Sequence, residues 1–409
     1  MSTVGVEHVW RRWAPEVLAA LVRRYGDFDA AEDAAQEARL AATRQWPSEG
    51  VPDHPKGWLI TVASRRLIDG WRSEQARVGR EALVGRRTRV DDPLAQVAVD
   101  EGERDDSLTV LLLRCHPALA RPSQVALTLR AVGGLTTRQI ARAFLVPEAT
   151  MGTRISRARQ RLREVGAGFG VPSVGQLPDR VDAAAQVLYL IFTEGHTSTT
   201  GGGLYDVSLA GEAIRITRQL HAQLPDSGEV AGLLALMLLT DARRGARTRD
   251  DGSLVLLAEQ DRSRWDHSSI REGIGLVERA LPTGPVGPYQ LQAAIAAVHA
   301  EAARADDTDW VQIEVLYRML ADLAPGPVVT LNHAVAVAMV DGPKAGLDLI
   351  EPLREDRQLS RNHRLHAVRG HLLERAGRDD EARTAFALAA RLATSIPEQR
   401  YLNSKAETT

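Results

Sequence analysis

The chain has 409 residues, 44% of them apolar and 25% charged, with a net charge of −2. That length exceeds one ordinary core, so two or three domains are expected, and the composition excludes a disordered chain. The near-even charge total announces no nucleic-acid partner, and the single cysteine, Cys115, excludes an intramolecular disulfide.

The N-terminal MSTVGVEHVWRRW has no apolar signal core, and the longest strongly apolar stretch is Ala231–Leu239. A membrane span needs about 20 such residues, so a soluble cytoplasmic protein with no membrane contact is expected. Ala, Leu and Arg dominate, β-branched runs are short and helical spacing recurs, which predicts an all-α fold.

The first segment, about 6–80, holds five of the seven tryptophans: Trp10, Trp13, Trp46, Trp58 and Trp71. A helix is predicted over Ala30–Gln45, with Asp33, Gln36 and Glu37 forming a polar patch beside Glu32. By residue type alone such a patch reads as a solvated face. A turn-rich loop, Pro47–Pro55, leads to a helix over Lys56–Gln75 carrying Trp58, Arg65, Arg66, Trp71 and Arg72. Rings and cations together suit unpaired bases, which stack while the backbone meets charge. Tryptophans at helical spacing suit a core equally well.

An acidic linker follows, about 81–105. Within Asp91–Asp106, seven acids against one Arg give −6. The next segment, 106–165, inverts the sign: in Leu135–Glu164 seven Arg against two Glu give +5. Thr136 with Gln139 fits a capping box, Leu145–Val146 a short turn, and Pro147–Glu148 a second helix start. On that second helix Met151, Ile155, Ala158 and Leu162 form one apolar stripe, and Thr153, Ser156, Arg157 and Gln160 point away from it. Thr150, Arg154 and Arg161 flank the stripe. This is a helix–turn–helix pattern, in which early residues of the second helix reach base edges and later ones reach phosphate.

A Gly/Pro/Ser linker over Gly166–Pro178 precedes a helical region, 178–402. Near its end Gly370, Gly377, Ala382, Phe386 and Ala389 fall at the small, aromatic and Ala positions of a 34-residue tetratricopeptide hairpin. Asn332–Leu349 reads as a weaker copy, which places the repeat-like part near 325–395. No catalytic constellation stands out. The cluster of Asp261, Arg262, Arg264 and Asp266 reads as pairing between helices. The glycine loop Gly195–Gly203 lacks the Lys-Ser/Thr of a phosphate loop, and Cys115–His116 reads as helix-end packing. The histidines of the helical region lack metal-ligand spacing, so neither metal nor cofactor is expected.

Three stretches carry a family resemblance. DAAEDAAQEARLAATRQW, HPKGWLITVASRRLIDGWRSEQAR and GLTTRQIARAFLVPEATMGTRISRARQRLRE resemble, in order, the polymerase-binding helix, the −10 part and the −35 helix–turn–helix of extracytoplasmic-function sigma factors of the sigma-70 family. LYLIFTEGH, LALMLLTDARR and PVVTLNHAVAVA resemble a long-extension group of that family. The resemblance implies that Asp33, Gln36 and Glu37 face core RNA polymerase, whose β′ and β subunits are the expected partners. It implies that Lys56, Trp58, Arg65, Arg66, Asp69 and Arg72 meet the −10 strand. It implies that Thr150, Thr153, Arg154, Ser156 and Arg157 meet the −35 duplex. Gly152 departs from the pattern, standing where a larger polar residue is common. The implied function is a non-enzymatic sigma factor whose extension regulates it and holds a protein or peptide partner. A helix–turn–helix regulator acting without polymerase, and an enzyme fused to a DNA reader, are the alternatives.

Overall fold

A computed structural model describes residues 3–81, 107–144, 146–166, 175–197, 209–249, 253–282, 284–355, 359–393 and 396–408. The acidic linker, Leu145, most of the second linker and most of the glycine loop lie outside them. The described residues are helical throughout, apart from one isolated bridge, Thr248 with Leu254. Two compact units result: residues 1–195 with 207–219, and residues 196–206 with 220–409.

The first unit opens with α1 (Thr3–Tyr25), α2 (Phe28–Glu49) and α3 (Pro55–Glu81). Its core takes Trp10, Leu18 and Leu21 from α1, Ala31, Ala38, Ala42 and Trp46 from α2, and Leu59, Ala63 and Leu67 from α3. The alanines of α2 share one face by their spacing and let its neighbours approach closely. Asp27 caps α2, accepting from Ala30 N at 3.0 Å. α2 runs through Pro47, so the loop starts three residues later than its proline suggested. A proline in the last turn forfeits one hydrogen bond and no more, and Gly50, at φ 87°, ends the helix.

Four helices follow in the same unit: α4 (Ser107–Arg114), α5 (Arg121–Ala131), α6 (Thr137–Ala143) and α7 (Glu148–Glu164). The α5–α6 turn packs on α1. Trp10 Nε1 donates to Gly134 O at 2.8 Å, and Gly134 adopts φ +67°. α8 (Leu177–Thr197) and the first part of α9 (Leu209–Gln223) belong to this unit as well. Arg180 donates to Leu112 O at 3.3 Å, Arg121 bonds Gln186, and Arg215 donates to Val132 O at 3.1 Å.

The second unit is a succession of hairpins. Its first full helix, α10 (Gly228–Asp241), is buried from Val230 to Leu239, which accounts for the apolar run in the sequence. Then come α11 (His267–Ala280), α12 (Pro288–Glu301), α13 (Trp310–Leu323), α14 (Pro327–Val340), α15 (Pro343–Ile350), α16 (His363–Arg375), α17 (Asp379–Leu392) and α18 (Ile396–Thr408). Three core clusters follow the chain. Leu291, Ile313 and Ala336 centre the first, Leu331, Ile350 and Leu372 the second, and Leu373, Phe386 and Leu402 the third. Each draws on neighbouring helices, as in quasi-one-dimensional repeat folds. The tetratricopeptide-like pattern is physical here. A methyl at Gly370 would fall 2.7 Å from the Phe386 ring, and one at Gly346 would fall 2.6 Å from Ala334 O. Gly342 and Gly377 both turn their hairpins at positive φ.

No helix of the described residues is long and apolar enough to cross a membrane.

Candidate nucleic-acid interface

Helix α7 has the three-sided character its spacing predicts. Met151, Ile155, Ala158 and Leu162 are buried. Thr150, Thr153, Ser156 and Arg157 are exposed, and Arg154 is half-buried at their edge. The preceding helix is held by the expected reciprocal cap. Thr136 N donates to Gln139 Oε1 at 2.8 Å, and Gln139 N to Thr136 Oγ1 at 3.2 Å. Pro147 sits at the N-cap of α7, so the exposed first turn begins at Glu148. Gly152 faces open space: a methyl group on its α-carbon would have nothing within 4 Å.

On α3 the residues Arg65, Arg66, Asp69 and Arg72 are exposed, opposite Leu59, Ala63 and Leu67. Trp71 is exposed too, its ring edge-on to Tyr25 at 5.6 Å. Trp58 is half-buried and packs on the fully buried Trp46, ring centroids 5.2 Å apart. The two tryptophans thus divide between surface and core. Lys56 pairs with Glu16 and lies over the Trp13 ring at 5.5 Å.

The α2 patch departs most from a solvated face. Gln36 is half-buried and Glu37 exposed, but Asp33 is engaged by arginines from the second helical group. Arg130 Nη2 reaches its Oδ1 at 3.2 Å and Arg159 Nη2 at 3.1 Å. Beneath it Glu32 is 1% exposed. Glu32 takes Arg114 at 2.7 Å, Arg130 at 2.8 Å and Arg159 at 3.0 Å. Arg159 also faces Asp29 at 3.5 Å, and Arg163 pairs with Asp29. Arg114 lies 3.7 Å over the Phe28 ring.

Burial pushes Arg114 down to about 10 against the pull of Glu32. Burial also works against the charge of Arg159, but Glu32 and Asp33 outweigh it and the net shift is upward. The second helical group therefore closes on α2 through a shared set of carboxylates. Sequence spacing assigned neither Arg159 nor Arg163 to this contact. The only hint was the sign complementarity of an acidic helix and an Arg-rich one.

Other clusters resolve into structural roles. Asp261 and Asp266 do not pair between helices as expected; they are local helix caps, accepting from Ser263 N at 2.9 Å and Ser268 N at 2.9 Å. Cys115 is buried against Thr128 Oγ1 at 3.7 Å, and burial pushes its thiol up to about 12. His116 Nδ1 accepts from Ala118 N at 3.1 Å. Among the described residues no group of three or more His, Cys, Asp or Glu could hold a metal ion.

Comparison with known proteins fits this geometry. Residues 9–77 match Sigma-70 region 2 and residues 109–162 match Sigma-70 region 4. This chain carries Sigma-70 regions 2 and 4. Residues 180–281 match a family of unknown function, DUF6596. The chain is 42% identical over 390 residues to the uncharacterized protein R00370 of Rhizobium meliloti (strain 1021), covering 95% of this chain and 92% of that protein. It is 30% identical over 162 residues to the probable ECF RNA polymerase sigma factor SigI of Mycobacterium tuberculosis, 39% of this chain and 54% of that one. It is 29% identical over 151 residues to the ECF RNA polymerase sigma factor SigK of Mycobacterium bovis, 36% of this chain and 78% of that one. The crystal structure of yeast Tom70 aligns with 93% of this chain and 80% of that chain at 11% identity, with a TM-score of 0.37.

The sigma-70 family is not one of enzymes. Its regions 2 and 4 imply sigma factor function, with core RNA polymerase and promoter DNA as partners. Helix α3 lies in region 2 and α7 in region 4.

Proposed function

We propose that the chain directs core RNA polymerase to promoters and that its free form holds the polymerase-binding and −35-reading helices against each other. In this reading Thr150, Thr153, Arg154, Ser156 and Arg157 read the −35 duplex. Lys56, Trp58, Arg65, Arg66, Asp69 and Arg72 hold the −10 strand, and Asp33, Gln36 and Glu37 meet polymerase. The exposure of the α7 polar face opposite its buried stripe supports the first assignment, and the exposed cations of α3 support the second. The observation that carries the closed form is that Asp33 is paired with Arg159 of α7. The Asp33 side chain is 61% exposed, so polymerase would compete with Arg130 and Arg159 for it, and displacing Arg159 would separate the two helices.

The extension regulates this opening. What favours that role is that α8 and the start of α9 pack in the same unit as the region 4 helices, through Arg121, Arg180 and Arg215. In vitro transcription with purified core polymerase tests both parts. Asp33→Asn should weaken polymerase binding, and a chain ended after Val165 should change activity relative to the full chain. Promoter-directed transcription by the shortened chain equal to that of the full chain would remove the regulatory role. Promoter binding by the full chain that owed nothing to polymerase would instead favour an ordinary helix–turn–helix regulator.

A further inference from the structure

Three arginines of the second unit crowd together, and no hydrogen bond or ion pair joins any of them to a carboxylate among the described residues. The short helical turns at Arg244–Ala246 and Arg262–Arg264 lie side by side, with Gly245 against Arg264 O. This brings Arg243 and Arg247 toward Arg262. Arg247 is tied by one nitrogen to His196 O at 2.7 Å. Arg262 is tied by one nitrogen to His299 O at 2.7 Å and to Ala302 O, and it covers the Trp265 ring at 4.6 Å. Both guanidiniums are thus anchored by backbone carbonyls, which fix position; the carboxylates that act on them, Glu398 and Asp241 on Arg247 and Asp307 on Arg262, each have another partner.

Arg243 has no hydrogen bond and no ion pair among the described residues, and the charged groups that act on it are Arg247 and Arg262. The nearby acids are committed elsewhere. Asp241 bonds Arg244 at 2.9 Å, Asp307 bonds Arg304 at 3.1 Å, and Glu398 pairs with His363 at 3.3 Å. Burial and the two neighbouring guanidiniums push Arg243 down to about 10. Burial, then the adjacent arginines, push His196 to about 3 and His299 to about 4. Trp265 is 4% exposed, and its indole N–H is buried without an acceptor.

Like charges held together by anchored side chains cost free energy unless an anion completes the cluster. Guanidinium forks match the oxygens of a phosphoryl group, which carries enough charge to answer several of them. We propose that Arg243, Arg247 and Arg262 form a binding site for a phosphoryl-bearing small molecule in the extension.

The test titrates the full-length chain with inorganic phosphate, pyrophosphate and citrate against sodium chloride at matched ionic strength, reading thermal melting. Phosphate or pyrophosphate should raise the extension's melting midpoint by roughly 5–10 °C at a hundredfold excess over Kd. Arg243→Gln should remove that response and raise the midpoint of the unliganded chain, because it relieves repulsion. Arg243→Lys keeps the charge without the fork and should weaken the response at least tenfold in concentration. A response no greater than that to chloride, or one retained in Arg243→Gln, would overturn the site. So would a lowered unliganded midpoint in Arg243→Gln, since that marks a structural arginine. A stronger response to citrate than to either phosphate would overturn the phosphoryl assignment.

Discussion

Gly134 and Gly152 should answer an added methyl group in opposite ways. Gly134 holds φ +67°, and its methyl would lie 2.7 Å from Trp10 Nε1, the atom that donates to Gly134 O. Gly134→Ala should destabilise the chain by more than ~1 kcal/mol, through both backbone strain and the lost contact. Gly152 lies inside α7, and a methyl there meets nothing. Gly152→Ala should therefore stabilise by roughly 0.5–1 kcal/mol, the ordinary cost of glycine in a helix interior. Chemical denaturation of the two variants checks both signs. Neither effect is visible in the letters Gly-Gly or Met-Gly-Thr. The first needs a residue from α1 beside the α5–α6 turn, and the second needs an empty half-space.

Helix α7 divides its residues among three surfaces, and substitutions should sort accordingly. Arg157 is exposed, and in the proposed reading it contacts a base, so Arg157→Ala should reduce −35-dependent transcription by ~1–3 kcal/mol without altering the melt. Arg159→Ala strips one of three arginines from the buried Glu32, with Arg114 and Arg130 remaining, and should destabilise the closed form by ~1.5–3 kcal/mol while strengthening polymerase binding. Arg163 is 63% exposed, so its pair with Asp29 should contribute less than about 1 kcal/mol. Melting and a polymerase-binding titration on the three variants separate these roles, and indistinguishable behaviour of Arg157→Ala and Arg159→Ala would dissolve the division. The buried stripe and the Thr136–Gln139 cap were legible because both are local, set by spacing within two turns. The partner of Asp33 was not, because Arg159 lies 126 residues away and periodicity carries no information at that range. The hairpins at Gly342 and Gly377 were legible for the same local reason, whereas the Arg243 cluster joins segments whose spacing signals nothing.

At the scale of the molecule, the extension's acid response begins with histidines, above the range in which its carboxylates titrate. His196 and His299 titrate near 3 and 4 in the folded chain, below the ordinary histidine value of 6.5, because burial and nearby arginines oppose their protonation. The unfolded chain therefore binds more protons below pH 6.5, and stability falls with pH from there toward 4. The loss should reach several kcal/mol over that range. A midpoint that stays flat until the carboxylate range would contradict it, and His299→Gln should flatten part of the slope.

The closure of α7 on α2 also has a consequence for how the free protein meets bulk DNA. Each lysine or arginine that neutralises a phosphate displaces ~0.9 of a condensed counterion, so the salt exponent of binding counts available cations. Arg159 and Arg163 are spoken for while they face Asp29, Glu32 and Asp33. A chain in that state should bind random duplex with a log–log salt slope shallower by about 2 than one whose α2 is occupied by polymerase. Unengaged copies would then drift past the genome's vast excess of irrelevant sequence, sparing their grip for promoters.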